Sequence, residues 1–269
     1  MKRLVHLSDL HFGRDRAELL DPLLRAIREL QPHLVVISGD LTQRATAEQF
    51  KAAAGFIEKI GIQVLTIPGN HDVPLHNVLM RFFLPWWRYR RWINRDLEPT
   101  YADDAMTVVG VNTVDPFSWE RGWLTSRAMR RACQVFRAAT DRRIHVLVAH
   151  HPLDHAPDEP KQLMRGATRG IGHLRDCGAD VVLSGHLHSW RAEPFASVEG
   201  QHAPLQVHAG TSLSNRLRGE DNDFNLLELE PGSITVVRHA YDDANAGFVP
   251  MTTRVFRLTL SGWRLHDQG

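Results

Sequence analysis

The sequence predicts an α/β fold in which a largely parallel sheet is covered by helices. Five short β-branched or aliphatic runs are bounded by glycine, proline or polar clusters, which is the pattern of buried strands. Several are separated by segments whose apolar residues recur at helical spacing, and such alternation indicates parallel strands joined by helices. A chain of 269 residues can bury a single core, so we predict one domain over 1–269.

The first part of the chain supplies three of these strands, at 4–7, 34–38 and 64–67. A helix is predicted over 18–30, where Pro22 falls in the first turn and is tolerated. A second helix is predicted over 45–60, and Gly61 suits the left-handed position that commonly ends a helix.

The second part continues this pattern and then changes. Strands are predicted at 106–111, 144–149 and 181–184, and helices at 126–139 and 162–175. Beyond Trp190 the apolar runs 205–208, 224–229 and 234–238 are separated by turn residues without helices. We interpret these last runs as an antiparallel meander.

The segment 79–95 has a composition of its own, since aromatic residues alternate with arginines. One interpretation is a basic amphipathic element that lies on a membrane surface or stacks on nucleic-acid bases. The interpretation we favour is a cap-like insertion that packs its aromatic side chains on the core while its arginines extend into water. Pro85 is expected to prevent a single unbroken helix here.

Composition narrows the class of protein. A formal charge of +1 gives no general field for polyanions, and we expect no nucleic-acid partner. Cys133 and Cys177 are too few for a thiolate metal site, so we expect two buried, unpaired cysteines in a reducing compartment. No uncharged run reaches the roughly 18 residues of a membrane helix. We therefore predict a cytoplasmic protein.

A polar loop follows each of the five strands. In order these loops contain Asp9-Leu10-His11, Gly39-Asp40, Gly69-Asn70-His71-Asp72, His150-His151-Pro152 and Gly185-His186-Leu187-His188. Because ligands bind outside the carboxyl ends of strands in open α/β sheets, these groups are predicted to share one pocket. Carboxylate, amide and imidazole groups without thiolates suit hard or borderline divalent cations. The pattern therefore predicts a site for two metal ions, with a carboxylate such as Asp40 bridging them.

The spacing also predicts the local geometry of these loops. Asp9 and His11 are two residues apart, as are His186 and His188, so each pair would point the same way from an extended loop. Glycine stands at positions 39, 69 and 185, where tight turns beside the ions are expected to need φ freedom.

In this order, the five motifs resemble the signature of the calcineurin-like metallophosphoesterases. The fuller run Ser8-Asp9-Leu10-His11-Phe12-Gly13 is most similar to the class III cyclic nucleotide phosphodiesterase branch. The resemblance covers residues 9–188 and implies a four-layer αββα sandwich with two divalent or mixed-valence ions of manganese, iron or zinc. It also implies two ligand sets: Asp9, His11, Asp40 and His188 for one ion, and Asp40, Asn70, His150 and His186 for the other.

The same resemblance implies roles for two residues that do not bind metal. His71 would stabilise charge on the phosphate or protonate the leaving oxygen, and Asp72 would orient His71 or a neighbouring loop. The chain departs from the family pattern where Gly39-Asp40 continues as Leu41-Thr42-Gln43 instead of reaching a further aspartate. That difference removes one carboxylate near the metals.

Several assignments stay open at this point. Only one of His150 and His151 is expected to reach the metal easily, because adjacent residues after a strand face opposite ways; alignment with the family motif favours His150. Arg216 or Arg218 could pair with a phosphate, and a solvated turn is the alternative. Weaker candidates for the pocket are Asn112, Thr113 and His208, which end or follow other strands.

The predicted activity is metal-dependent hydrolysis of a phosphodiester by a metal-bridging hydroxide, with a cyclic nucleotide as the leading substrate by resemblance. A phosphomonoesterase or a nucleotide or lipid pyrophosphatase is the alternative within the superfamily, and an inactive binding scaffold is the alternative from another class. The expected partner is a small-molecule phosphoester. Peripheral membrane contact through 79–95 and dimerisation both stay open.

Overall fold

The computed structural model describes residues 1–139, 143–156, 159–195 and 203–266. In chain order the strands are β1 Lys2–Leu7, β2 Leu34–Ile37, β3 Val64–Thr66, β4 Thr100–Ala102, β5 Met106–Val111, β6 Ile144–Ala149, β7 Val181–Ser184, β8 Arg191–Pro194, β9 Leu205–His208, β10 Asp223–Glu230, β11 Ser233–Asp242, β12 Gly247–Thr259 and β13 Gly262–Leu265. The helices are α1 Leu20–Leu30, α2 Ala47–Ile60, α3 Val78–Phe83, α4 Trp87–Trp92, α5 Ser126–Ala138 and α6 Ala167–Asp176.

The described strands form two mixed sheets. The first has seven strands in the order β13-β12-β11-β10-β1-β2-β3, and the second has six in the order β4-β5-β6-β7-β9-β8. The three strands β1, β2 and β3 run parallel, and the antiparallel meander β10 to β13 extends their sheet. The meander predicted from the sequence is confirmed for its last two runs.

The run 205–208 was wrongly assigned to that meander. As β9 it lies in the second sheet, parallel to β7 and antiparallel to β8. A run of four buried residues does not indicate whether the neighbouring strand is parallel or antiparallel, because the apolar pattern is the same in both cases.

The two sheets pack face to face, and helices cover both outer surfaces. Leu4 and Val36 of the first sheet belong to the same buried cluster as Val148 and Leu183 of the second. Helices α1 and α2 bury Leu23, Ile27, Phe50 and Phe56 against the outer face of the first sheet. Helices α5 and α6 bury Met129, Phe136 and Leu174 against the second sheet. This is the four-layer αββα sandwich that the family resemblance implied.

Helix boundaries follow the capping chemistry that the sequence offers. The Thr46 hydroxyl accepts a hydrogen bond from the Gln49 amide at the start of α2, and Gly61 ends this helix with φ of 69°, as predicted. The helix predicted over 162–175 begins only at Ala167. Its expected first turn forms instead a backbone pairing, in which the Leu124 amide donates to the Arg165 carbonyl at 2.8 Å.

The expectation of two unpaired cysteines is wrong. Cys133 on α5 and Cys177 just after α6 are both buried, as predicted, but a disulfide joins them across a Cα–Cα distance of 5.3 Å. The pairing crosslinks the two helices that cover the second sheet. It also removes the thiol-based argument for a reducing compartment.

The aromatic and basic segment 79–95 forms two short helices, and the chain breaks between them at 84–86, as Pro85 predicts. In α4 the favoured interpretation holds for Tyr89, which is fully buried and whose hydroxyl donates to Thr66 Oγ1 at 2.9 Å, but Trp87 of the same helix is 54% exposed. In α3 that interpretation is wrong. There Arg81 is buried, while Phe83 is 76% exposed. Among the described residues, no helix is long and apolar enough to cross a membrane.

Candidate metal centre

The seven predicted ligands are brought together at one edge of the two sheets. Asp9, His11, Asp40 and Asn70 follow β1, β2 and β3 of the first sheet, and His150, His186 and His188 follow β6 and β7 of the second. All seven side chains are buried. The Nε2 atoms of His11 and His188 are 3.3 Å apart across the junction of the sheets, and the rings of His150 and His186 are 5.2 Å apart.

Asp9 has one oxygen held by the protein and one that has no hydrogen-bond partner. Its Oδ2 accepts from the Ser8 hydroxyl at 2.6 Å and from the His186 amide at 3.0 Å. Its Oδ1 is buried without a hydrogen-bond partner and lies 3.1 Å from His188 Nε2. A buried carboxylate oxygen without a donor is costly, so this atom points to a bound cation.

Asp40 lies between imidazoles from both sheets. Its Oδ2 is 3.7 Å from His11 Nε2 and 3.4 Å from His150 Nε2, and its Oδ1 accepts from the His71 amide at 2.8 Å. This central position is the one that a bridging carboxylate requires.

Two of the three predicted histidine ligands of the second sheet are oriented by backbone carbonyl groups. Nδ1 of His150 lies 2.8 Å from the Ser38 oxygen, and Nδ1 of His188 lies 3.0 Å from the Arg216 oxygen. A carbonyl can only accept, so each Nδ1 carries a proton and each Nε2 is the nitrogen that faces the centre. Metal-binding histidines commonly have this arrangement.

The Asn70 side chain connects the remaining histidines. Its Oδ1 is 3.1 Å from His150 Nε2 and 3.0 Å from His186 Nδ1. An amide oxygen is a suitable ligand for the same cations as a carboxylate. Asn70 therefore lies beside His150 and His186, the two histidines of its predicted ligand set.

The structure distinguishes His150 from His151 as the metal ligand less clearly than predicted. His150 reaches Asp40, whereas His151 Nδ1 is 2.8 Å from the Thr113 hydroxyl. Yet ligand atoms of His150, His151 and His186 lie within 4.8 Å of one another, and His151 Nε2 is buried without a partner. Both histidines therefore face the same region, and the preference for His150 stays a prediction.

The loops that carry the ligands are not extended, so the reason given for the two-residue spacing is wrong. Positive φ values of 52°, 50°, 51°, 69° and 58° occur at Asp9, His11, Asp40, His186 and His188. Non-glycine residues rarely adopt this left-handed conformation, which costs on the order of 1 to 3 kcal/mol each and concentrates at functional sites. Through these turns the side chains of Asp9 and His11 converge to 3.5 Å, whereas His186 and His188 reach different groups of ligand atoms.

The glycines beside the ligands have different functions. Gly39 has φ of 103°, as expected of a tight turn. Gly185 is needed for space, because a Cβ there would collide with Ser8 Oγ and Asp9 Oδ2. The close approach of this loop to Asp9 thus depends on the missing side chain.

Burial and charge pairing set the protonation of the centre. Burial alone would raise the pKa of Asp40, but the His150 and His71 imidazoles hold the pKa well below its usual range. Burial alone would lower the pKa of His150, but the Asp40 carboxylate raises it to about 9. Without a metal, His150 therefore carries a second proton, on Nε2, at neutral pH, and a cation must displace that proton to reach the nitrogen.

His71 lies beside the ligands and is held by the loop after β2. Its Nδ1 donates to the Gln43 carbonyl at 3.0 Å, which leaves Nε2 as an acceptor. Asp72 fixes the neighbouring loop, one of the two alternatives, because its carboxylate accepts from the backbone amides of Leu41, Thr42 and Gly69 at 2.9 to 3.2 Å. The segment Leu41-Thr42-Gln43, which lacks the further aspartate of the family pattern, thus contacts the Asp72 carboxylate and His71 Nδ1 instead.

Of the polar candidates outside the motifs, Arg216 is the one at the centre. Its Nη1 lies 3.1 Å from His71 Nε2, whereas Arg218 lies 3.7 Å from Glu159 at the surface. Thr113 contacts His151, and Asn112 caps a turn by accepting from the Val114 amide. His208 is buried beside Trp190 and Leu187, in a separate small cavity.

Lys161 was missed by the sequence reasoning. Its Nζ donates to the His186 carbonyl at 2.8 Å and lies 3.5 Å from His186 Nε2. A lone lysine in an irregular loop gives no signal in sequence, so only the fold could reveal it. Lys161 and Arg216 thus provide positive charge near opposite ends of the ligand cluster.

The donor set fits divalent cations. Within the described residues, ligand atoms approach within 4.8 Å of one another in four groups: Asp9, His11 and His188; Asp9, Asp40 and His150; His11, Asp40 and His71; and His150, His151 and His186. Asp9 and Asp40 each belong to a group with imidazoles, and oxygen with imidazole suits manganese, iron and zinc alike.

This fold and this cluster define a family. The profile of the calcineurin-like phosphoesterases matches residues 2–190. The chain belongs to this family, which comprises hydrolases that act on phosphoester bonds. The match ends just beyond the last predicted ligand, His188, so it includes every residue of the cluster described above.

Curated relatives are similar at low identity. A cAMP/cGMP dual specificity phosphodiesterase of Mycobacterium tuberculosis is 24% identical over 264 residues, which cover 86% of this chain and 77% of that protein. A probable cyclic nucleotide phosphodiesterase of Vesicomyosocius okutanii is 29% identical over 76 residues, which cover 26% of this chain and only 33% of that protein.

Solved structures show the same fold. The purple acid phosphatase PPD1 of yellow lupin (Lupinus luteus) aligns with a TM-score of 0.66 at 14% identity, covering 94% of this chain and 53% of that one. GAP50, the anchor in the inner membrane complex of Plasmodium, aligns with a TM-score of 0.60 at 12% identity, covering 94% of this chain and 87% of that one.

Proposed function

We propose that the protein is a metal-dependent phosphodiesterase. The observation that carries this proposal is the pair of buried carboxylates, one with an unpartnered oxygen, surrounded by imidazoles whose free nitrogens point inward. Two divalent cations bound there would supply a hydrolytic nucleophile at neutral pH and neutralise charge on the phosphate. Retention of all seven ligands speaks against an inactive scaffold, since loss of ligands is the simplest way to lose activity.

The residues of the chain have distinct tasks in this proposal. Asp9, His11, Asp40 and His188 would hold one cation, and Asp40, Asn70, His150 and His186 would hold the other. His71 borders the cluster and interacts with the phosphate or the departing oxygen, and Arg216 donates to His71 Nε2 or to a phosphate oxygen that displaces it.

The leading substrate class is a cyclic nucleotide, by similarity to the phosphodiesterases named above. A second candidate is a phosphomonoester or a pyrophosphate-linked compound. It is favoured by the positions of Arg216 and Lys161, because two further cations beside the metals suit a phosphate group with more than one negative charge.

A substrate panel on protein of measured metal content tests both candidates. The panel contains cyclic nucleotides, an aryl phosphodiester, phosphomonoesters and nucleoside diphosphate lipids, each assayed with manganese, iron or zinc. We expect metal-dependent turnover of a phosphodiester that Asp40→Asn abolishes and that Asp21→Asn, an exposed change on α1, leaves intact. Metal binding without turnover of any phosphoester would favour a scaffold. The same preparation would give the oligomeric state; a cytoplasmic location stays a prediction.

A further inference from the structure

Large apolar side chains are exposed together at one rim of the molecule. We define the rim patch as Leu79, Phe82, Phe83 and Trp87 of the 79–95 segment with Phe117 and Trp119 of the loop after β5. Exposed fractions reach 71% for Leu79, 76% for Phe83 and 80% for Phe117. The two segments are continuous, because the rings of Phe82 and Phe117 stack with centroids 5.2 Å apart. Contiguous patches of this kind mark interaction sites, whereas single exposed apolar residues do not.

The exposure is fixed by Arg81. This buried arginine donates to the carbonyl oxygens of Pro116 and Ser118, each at 2.7 Å, and its guanidinium lies 5.3 Å from the Trp119 ring centroid. Leu79 and Phe83 are one helical turn apart and lie opposite Arg81 on α3. The helix cannot turn these two side chains inward without exposing Arg81 and breaking its bonds to the loop.

The rim patch lies close to the candidate metal centre. Pro74, whose carbonyl also faces Arg81, follows His71 by three residues, and Pro116 follows Thr113 by three. Three residues span at most about 11 Å. Pro74 and Pro116, whose carbonyl groups both face Arg81, are therefore near residues of the centre.

Positive charge accompanies the apolar side chains. Residues 73–95 contain five arginines and no acidic residue. A groove of about 530 Å³ beside Phe117 is lined by Arg90, Arg95 and Arg127, with Asp96, Glu98 and Asp115 also on its walls. Asp115 is paired with Arg165, and the Glu98 carboxylate accepts from the Asn112 amide. Within the described part of the chain, Arg90 and Arg95 form no ion pair.

We propose that the rim patch docks the protein on the surface of an anionic phospholipid bilayer. The aromatic side chains enter the boundary between headgroups and acyl chains, and the arginines of the groove contact lipid phosphates. The excess of arginines over acidic residues in 73–95 favours an anionic surface as the occupant. In a symmetric contact between two copies, the rim patch of one copy would face the rim patch of the other. Such a contact would bring the arginines of both copies close together. Docking does not depend on the proposed hydrolysis, and binding is measured without turnover.

Sedimentation with vesicles tests the proposal on the full chain. We expect binding to vesicles of mixed phosphatidylglycerol and phosphatidylcholine and much weaker binding to phosphatidylcholine alone. Phe83→Ser should lower the partition coefficient roughly tenfold, and Arg90→Glu should lower it at least about fivefold, mainly on anionic vesicles. Leu260→Ser, at a fully exposed leucine in the β12–β13 turn, is the matched control and should change nothing.

Three results would overturn the proposal. These are no partition into anionic vesicles, equal partition of wild type and Phe83→Ser, and a dimer in solution that Phe83→Ser converts to a monomer without any vesicle binding. Unchanged thermal unfolding of Phe83→Ser and Arg90→Glu confirms that each variant is folded. Loss of vesicle binding with intact phosphodiesterase activity separates this proposal from the proposed function.

Discussion

The two sheets contribute different chemistry to the candidate centre. The first sheet delivers all three oxygen ligands, Asp9, Asp40 and Asn70, together with the imidazole of His11, and the second delivers only imidazoles. The carboxylates are held by donors, as when Ser8 and the His186 amide bind Asp9, whereas His150 and His188 are held by carbonyl acceptors.

This difference shows how the centre is prepared for cations. Donors to one carboxylate oxygen leave the other free, and acceptors at Nδ1 leave Nε2 free, so both kinds of contact turn lone pairs toward the same space. The first sheet provides the negative charge, and the second provides imidazole nitrogens, of which His150 Nε2 becomes neutral once a cation has displaced its proton. The following predictions test these separate contributions of the two sheets, beginning with the largest expected effect.

Removing the charge of Asp40 should be the most damaging change. Asp40→Asn keeps the shape but loses the carboxylate between His11 and His150, and we expect kcat/KM to fall by about 10³-fold or more. Metal content measured with activity checks the cause. Activity within tenfold of wild type would show that Asp40 does not bridge the ions.

Replacing an imidazole of the second sheet should cost less than that. His150→Ala is expected to weaken metal binding by roughly 100-fold, and His151→Ala by no more than about tenfold, because His150 contacts both Asp40 and Asn70. Titration of each variant with manganese or zinc gives the two constants. The opposite order would make His151 the ligand.

Metal affinity should depend on pH through the pair of Asp40 and His150. The Asp40 carboxylate raises the pKa of His150 to about 9, so a cation must displace a proton at neutral pH. Apparent affinity should therefore rise about tenfold per pH unit between pH 7 and 9 and level off above. Calorimetry in buffers of different ionisation enthalpy measures the released proton. Affinity independent of pH in this window would contradict the assignment.

The smallest expected effect concerns the hydroxyl that orients Asp9. Ser8→Ala removes the 2.6 Å hydrogen bond to Asp9 Oδ2 and should weaken metal binding by roughly tenfold. Ser184→Ala is the matched control, since Ser184 is also buried but its hydroxyl has no partner. Equal affinities of both variants would show that the donor to Asp9 is dispensable.

Much of the centre could be predicted because its ligands follow strands. A run such as Val181–Ser184 is recognisable from local composition, and parallel strands present their carboxyl ends at one edge. Lys161 and the pairing of Cys133 with Cys177 could not be predicted. Their partners are distant in sequence, and no local pattern indicates which side chains meet.

The left-handed turns at Asp9 and Asp40 also escaped prediction, because sequence assigns such conformations to glycine by default and a non-glycine residue adopts them only under tertiary constraint. The same holds for α3. Its composition favours aromatic side chains inside, but the carbonyl groups of Pro116 and Ser118 hold Arg81 inside instead.

The sequence by itself determined the five strands that precede the site, β1, β2, β3, β6 and β7, and the identity of the seven candidate ligands, since both depend on periodicity and on residue type at strand ends. Only the tertiary structure decided which oxygen of Asp9 is free, which nitrogen of each histidine faces the centre, and which side chains of 79–95 meet solvent. Those features depend on contacts between residues as far apart as Asp9 and His186, and such contacts exist only once the two sheets have packed.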